Sequence, residues 1–240
     1  MKRLFPEMTD RPEKFMPVAT IGYWIFAFVL MPVYLPLIGD GLWEDTVAAC
    51  WLDFAYHAVN ALVIVGMYRG YLGDSFFNVQ LDPRRFIKTV VDALLAMLLV
   101  ALVLYVTVPA TMDAYPINEM DVAVSAGWMV EHIPVFGILC HTLFTTVAVV
   151  GLFYAVGFAP MCCRKPWLGY LMVAFLLMLP AGFDILWRGE WEFVMRTYLL
   201  RLPIHLIACW SYQKADTVWA PLTTLVVFNL VTSLLSMFLI

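Results

Sequence analysis

Long uninterrupted apolar runs limit how this chain can fold more than any other feature of its sequence. No Asp, Glu, Lys or Arg occurs between Lys14 and Asp40, or from Thr217 to the end of the chain. A membrane span needs roughly 20 mostly apolar residues, because about 30 Å of hydrocarbon is crossed at about 1.5 Å per residue. The chain is 63% apolar and 13% charged, whereas soluble domains are roughly half apolar and about 25% charged. The sequence therefore predicts an all-α integral membrane protein.

Seven segments reach the length of a span, so we predict a polytopic transmembrane helix bundle of about seven spans, with residues 1–240 forming one membrane domain. The weakest is the sixth, because Arg196, Arg201 and Pro203 interrupt it. The link 111–133 has mixed character and could form an interfacial or re-entrant helix. The seven segments are 17–38, 47–68, 89–110, 134–159, 167–184, 194–213 and 217–239.

The basic residues fall in alternate links between these spans. Of the 14 Lys and Arg residues, 11 lie before the first span or in the links after the second, fourth and sixth. The opposite side carries the acid-rich segments 40–45 and 113–131. The positive-inside rule therefore places the N-terminus in the cytoplasm and the C-terminus outside, as an odd number of spans requires. The 11 residues are Lys2, Arg3, Arg11, Lys14, Arg69, Arg84, Arg85, Lys88, Arg164, Lys165 and Lys214.

The composition gives no sign of a nucleic-acid partner, a metal or a cofactor. The basic residues form no stripe of the kind that binds nucleic acid. The five cysteines contain no CxxC pair, and they share no metal-ligand spacing with the four histidines. We therefore predict no cofactor and no metal site, and we expect membrane lipids as the partners of the chain.

The segment 208–222 carries the most specific pattern in the chain. A turn rich in small residues and Tyr ends one span, a short basic-polar link follows, and Trp219-x-Pro221 opens the last span. This segment resembles the CPBP family of intramembrane proteases, to which the CAAX proteases belong. The resemblance extends over about residues 50–238, and only its last part is specific. It implies a family core over residues 134–239 and a multi-pass location in a bacterial plasma membrane.

The catalytic motifs of that family are substituted where the resemblance places them. Its Glu-Glu-x-x-x-Arg motif falls within residues 145–158, and no Asp or Glu occurs between Glu131 and Asp184, so a small shift of the alignment restores nothing. Only the Asn of the final His-x-x-x-Asn motif is present, as Asn229. The substituted positions hold Val149, Val150, Tyr154, Leu179 and Leu225.

The resemblance implies a protease in which a Glu activates a water held among two His, and an Asn helps to stabilise the oxyanion. Valine and leucine can neither deprotonate water nor stabilise that anion. We therefore interpret the chain as a catalytically inactive pseudoprotease that binds or regulates membrane or lipidated peptides. Two alternatives stay open: an active intramembrane endopeptidase with a relocated site, and a small-molecule transporter or membrane binding protein. The groups considered for a relocated site are Glu131, His132, His141, Glu192 and His205.

Asp53, His57 and Asn60 lie at i, i+4 and i+7 of the second span, and so on one helical face. This face could hold a proton, an ion or half of a metal site. It could equally hold a local Asp–His pair, with the Asn bonding a neighbouring helix. His141 stands alone in an apolar span, where a hydrogen bond between helices is its simplest role.

Glu192 and Arg196 form a second polar group, one helical turn apart, with His205 on a later turn of the same span. One interpretation is an interfacial ion pair whose arginine extends to the membrane surface. The other is a polar pocket that opens to the outside.

Overall fold

A computed structural model describes residues 46–107, 133–188 and 191–238, and the structural statements below concern these residues. The predicted first span, 17–38, and nearly all of the link 111–133 lie outside the described residues.

The described residues form helices, and no β-strand occurs among them. The predicted all-α class is therefore confirmed for this part of the chain. The helices are α1 (Thr46–Leu81), α2 (Pro83–Thr107), α3 (Val135–Val150), a π-helix (Gly151–Phe158), α4 (Ala159–Arg164), α5 (Pro166–Arg188), α6 (Trp191–Ala215) and α7 (Trp219–Phe238).

Helix α2 begins at Pro83, six residues before the predicted third span, where Asp82 precedes Pro83 in the pattern of a helix start. The Asp82 carboxylate accepts a hydrogen bond of 3.0 Å from the backbone N–H of Arg85. Such a bond satisfies one of the N–H groups that have no partner within the first helical turn. Pro83 fits the first helical position because it lacks the N–H that would otherwise need a partner. The preceding link differs from the prediction, since α1 continues through its polar residues to Leu81.

The predicted fourth span is one continuous helix, although its middle is a π-helix. Gly151 and Ala159, at the two ends of the π-helix, both keep right-handed helical dihedrals. The helical path therefore runs unbroken from Val135 to Arg164. The sixth span is also a single helix, because α6 continues through Pro203.

Side-chain contacts fix the relative directions of the helices. Lys214 in the last turn of α6 pairs with Asp92 in the first half of α2 at 3.1 Å. The Tyr170 hydroxyl near the start of α5 donates a 3.0 Å hydrogen bond to Gln213 of α6. Both α2 and α5 are therefore antiparallel to α6. The end of α1, the starts of α2, α5 and α7, and the end of α6 meet at one end of the bundle, which we call the linker end (residues 71–92, 165–170 and 212–219).

Apolar side chains cover the outward faces of two helices. On α5 the exposed residues Trp167, Leu171, Phe175 and Met178 follow one another at helical spacing. Isolated exposed apolar residues are ordinary, whereas continuous stripes of this length are typical of surfaces that contact a membrane or another protein. The corresponding stripe on α2 consists of Ile87, Val91, Leu95, Leu99, Leu102, Val103 and Val106.

Among the described residues, two helical stretches are long and apolar enough to cross a membrane. They are Pro83–Leu104, with 22 residues, and Val135–Cys162, with 28 residues. Shorter apolar stretches run from Pro166 to Met178 and from Trp219 to Leu235.

Close backbone approach at two glycines seats the π-helix in the core. A Cβ atom placed on Gly151 would overlap Cγ2 of Ile64 in α1. A Cβ atom placed on Gly169 would lie 2.7 Å from the ring of Phe158. Ile64 and Phe158 are themselves buried, so neither can move out of the way without disturbing the packing.

We predict that Gly151→Ala destabilises the protein by about 1–3 kcal/mol, because an added methyl group overpacks the interface with the stiff Ile64 side chain. Thermal unfolding of the purified protein in detergent measures the effect. Gly66→Ala in α1 is the matched control, because nothing lies within 4 Å of its Cβ position, and it should be neutral or slightly stabilising. Equal melting temperatures for the two variants would contradict the packing described here.

Candidate functional site

A row of polar side chains along α3 forms the centre of a buried polar core. His141, Thr142, Thr145 and Thr146 lie on adjacent turns, and all four are buried. The Thr142 hydroxyl donates to the Ile138 carbonyl at 2.9 Å, and the Thr146 hydroxyl donates to the Thr142 carbonyl at 2.7 Å. Such bonds to the preceding turn satisfy hydroxyl groups inside a helix bundle without requiring water.

The α7 side of this core is joined to α3 through side-chain contacts. The Asn229 amide donates a 2.9 Å hydrogen bond to the Thr146 hydroxyl. One turn away, the hydroxyls of Thr142 and Ser233 lie 3.4 Å apart. These pairs advance by four residues in opposite directions, so α3 and α7 are antiparallel. Continuing the same register by one turn places Val150 at the level of Leu225.

The positions that the family resemblance singled out are therefore located as follows. Val150 and Leu225 are each only 2% exposed, and both belong to the same apolar core. Val149 is also buried. Leu179 lies in α5, but its side chain is outside the described residues. The position beside Asn229 thus holds apolar, closely packed side chains.

The α1 side of the core brings together two histidines that the sequence did not connect. The His57 and His141 rings lie 5.2 Å apart between centroids, at 83° to each other. His57 is 1% exposed and His141 is 3% exposed, and Asn60 of α1 is buried as well. The Asp53 backbone lies one turn before His57 in α1, while its side chain is outside the described residues.

His205 lies in a different setting, beside the π-helix. The hydroxyl of Tyr154 lies 2.8 Å from Nδ1 of His205, and the two rings are stacked. Both side chains are buried. Tyr154 stands where the resemblance places the family's Arg, so this position serves a contact between the π-helix and α6. Glu192 and Arg196 lie in α6, but their side chains are outside the described residues.

Sequence reasoning missed the pairing of His57 with His141, because 84 positions separate them and no local spacing links them. Asn60 and Thr145, which lie near these histidines in the sequence, also interrupt apolar spans and could have indicated a polar contact between helices. Within the described ranges, no three His, Cys, Asp or Glu side chains lie together as a ready set of metal ligands. Glu131 and His132 fall outside those ranges.

The segment that carries the family resemblance forms a clamp at the linker end. The Ser75 hydroxyl accepts a 3.0 Å hydrogen bond from the backbone N–H of Val218 and lies 2.8 Å from the Thr217 hydroxyl. The Trp219 indole donates a 2.9 Å hydrogen bond to the Leu72 carbonyl. These bonds fix the link between α6 and α7 against the end of α1. The Trp of the motif thus has a structural role.

Asp216 makes the turn within this clamp. Its φ of 57° lies in the left-handed region, which Asp and Asn tolerate better than most residues. Its carbonyl accepts a 2.7 Å hydrogen bond from the Asn78 amide. Burial raises the pKa of the Asp216 carboxyl above its usual value, and the positive charge of Arg85 opposes part of that increase.

Comparisons of the chain with protein-family models, with curated proteins and with solved structures find no match. The resemblance to CPBP proteases therefore rests on the residues named above.

We predict that Asp216→Asn stabilises the protein at pH 7 and changes little at about pH 3. The folded chain holds the Asp216 proton to a higher pH than the unfolded chain, so stability falls as the pH rises from about 3.8 through the raised pKa. Asn tolerates the left-handed turn and has no carboxyl group to titrate, so the variant lacks this loss of stability. Thermal unfolding as a function of pH measures the melting temperatures of the variant and of the unaltered protein.

Asp74→Asn is the control for removing one negative charge, because Asp74 is exposed. It should change the melting temperature at pH 7 by less than Asp216→Asn does. A lower melting temperature for Asp216→Asn at pH 7 would show that the Asp216 carboxylate contributes favourably in its charged form.

Proposed function

We propose that this chain is a multi-pass membrane protein of the CPBP type that has lost catalysis and acts by binding membrane or lipidated peptides. The observation that carries the proposal is the pairing of Asn229 with Thr146, one turn from the buried Val150 and Leu225. In an active relative this region would need a base, histidines and a bound water. Here it offers an amide, hydroxyls and packed apolar side chains.

The helix directions support the multi-pass part of the proposal. Spans that cross a membrane in succession alternate in direction, so the fourth and seventh should be antiparallel, and the sixth should be antiparallel to the third and fifth. The contacts of α3 with α7, and of α6 with α2 and α5, have these directions. The linker end also contains Arg85, Lys88, Lys165 and Lys214, as a cytoplasmic side requires.

The exposed apolar stripes support a membrane environment independently of charge. On α2 the stripe extends from Ile87 to Val106 along one face. At about 1.5 Å per residue this distance is close to the thickness of the hydrocarbon layer. Exposing this apolar surface to water would cost free energy, and contact with lipid chains avoids that cost.

Loss of catalysis fits the chemistry of the core. A buried carboxylate or imidazole with no catalytic task costs free energy in a membrane, about 2.5–3.5 kcal/mol for an acidic residue at mid-span on insertion scales. Val150 and Leu225 avoid that cost and fill the space. Asn229 can still donate a hydrogen bond, but it cannot act as a base.

We expect the purified protein in lipid nanodiscs to bind peptides carrying a C-terminal prenyl group without cleaving them. Fluorescence anisotropy measures binding, and mass spectrometry of the same samples detects cleavage. The same peptide without the prenyl group is the control. Cleavage that copurifies with the protein and disappears in His57→Ala or His141→Ala would replace this proposal with a relocated active site, and the absence of any binding would refute it.

A double-mutant cycle tests the register on which the family alignment depends. We predict that Val150→Glu and Leu225→His each destabilise the protein, and that together they cost less than their sum by about 0.5–3 kcal/mol, because adjacent Glu and His side chains can pair. Thermal or denaturant unfolding measures the four species. Val226 is the next residue along α7, so Val150→Glu with Val226→His should be additive. An additive result for Leu225→His would refute the register.

A further inference from the structure

The corner between α1 and α2 carries two positive charges that the described helices do not pair. Helix α1 ends at Leu81 and α2 begins at Pro83, so Asp82 alone separates them. Arg84 and Lys88 lie one helical turn apart at the start of α2, and both side chains are exposed. Neither forms an ion pair within the part of the chain that the structure describes. The two side chains therefore present their charges to whatever surrounds the protein.

The acidic groups around this corner have other contacts. The Asp82 carboxylate accepts a hydrogen bond from the backbone N–H of Arg85, and Asp92 pairs with Lys214 at 3.1 Å. The positive charge of Arg85 acts on the carboxyl of Asp216 in the neighbouring turn, where it lowers a pKa that burial raises. An anion from outside these helices is therefore the complement of the two charges at the start of α2.

The exposed apolar stripe of α2 gives the depth of these charges in a membrane. The stripe begins at Ile87, beside Lys88, and continues to Val106 over about the thickness of the hydrocarbon layer. Arg84 precedes Ile87 by three residues, or about 4.5 Å along the helix. Lipid headgroups occupy the layer immediately outside the hydrocarbon. Both charged side chains therefore lie at the depth of the lipid phosphates.

Exposed apolar side chains lie on the other side of the corner. Phe77 and Leu81, one turn apart at the end of α1, are 58% and 67% exposed. The backbone N–H of Asp82 donates to the Asn78 carbonyl at 3.3 Å, and that of Phe86 donates to the Asp82 carbonyl at 3.1 Å, so the corner is compact. Basic and large apolar side chains side by side are typical of a membrane interface, where the apolar groups enter the acyl boundary and the cations meet headgroups.

We propose that Arg84 and Lys88 bind the phosphate of an anionic phospholipid, with Phe77 and Leu81 against the upper part of its acyl chains. A guanidinium donates two parallel N–H bonds to a phosphate, and an ammonium adds a compact positive charge. A zwitterionic headgroup carries its own cation, which competes with the protein for the phosphate. The site therefore favours a headgroup with a net negative charge.

This site rests on the membrane location in the proposed function, but it does not depend on peptide binding or on the loss of catalysis. A protein that binds anionic lipid but no prenylated peptide would refute only the peptide binding. A protein that binds the peptide without preferring anionic lipid would refute only the lipid site.

The test uses the full chain in a non-ionic detergent. Phosphatidylglycerol with a fluorophore on one acyl chain is titrated, and fluorescence anisotropy measures its binding. Phosphatidylcholine with the same chains and fluorophore is the lipid control, and we expect it to bind at least about 10-fold more weakly. Arg84→Gln combined with Lys88→Gln should weaken the binding of phosphatidylglycerol by about 10- to 30-fold, because two basic residues are lost beside the headgroup.

Arg69→Gln combined with Lys165→Gln is the matched control, because it removes two exposed positive charges elsewhere in the links that we assign to the cytoplasmic side. It should weaken binding by less than about threefold, whereas a general effect of surface charge would weaken it as much as the first pair does. Arg84→Lys combined with Lys88→Arg keeps both charges and should bind within about threefold of the unaltered chain.

Inorganic phosphate in excess distinguishes a lipid from a soluble anion. It should not displace phosphatidylglycerol, because the acyl chains contribute to binding through Phe77 and Leu81. The proposal is overturned by equal affinities for the two lipids, by equal losses in the two double Gln variants, or by displacement of the lipid with inorganic phosphate.

Discussion

The packing of the described helices around α3 depends on small polar side chains whose hydroxyl groups have hydrogen-bond partners within the protein. A buried hydroxyl group without a partner costs free energy. Thr142 and Thr146 avoid that cost by bonding to the preceding turn of their own helix. Their oxygens then remain available to Ser233 and Asn229 of α7. The same row of side chains thus satisfies α3 internally and sets its register against a second helix.

The clamp at the linker end fixes that register from outside the core. Ser75 and Leu72 hold the backbone of Val218 and the indole of Trp219 against the end of α1. Because α7 begins at Trp219, the clamp determines where Asn229 falls along α3. The segment that most resembles an active protease family is therefore a structural element, which can persist when the chemistry beside it is lost. A resemblance carried by this segment bears on architecture more directly than on activity.

The sequence predicts the starts of α5 and α7 to within two residues, because a span is defined by the length of an apolar run. Helix α2 begins six residues before the predicted span, because Asp82 and Pro83 start it in a polar segment. The sequence predicts the end of α1 poorly, because charged and polar residues in the segment 69–81 end the apolar run, whereas the helix continues to Leu81. The contact between His57 and His141 could not be predicted, because it depends on which faces of two distant helices meet. Helical spacing places His57 beside Asn60, but it carries no information about α3.

The core has an apolar part and a polar part, which lie at different levels along α3. Val150 and Leu225 are apolar and buried in the hydrophobic core. Two turns away, the buried rings of His57 and His141 pack against each other at 83°. This contact joins α1 to α3, as the hydrogen bond from Asn229 to Thr146 joins α3 to α7. The polar side chains of α3 therefore contact both neighbouring helices, while the apolar positions at Val150 and Leu225 fill the space one turn further along.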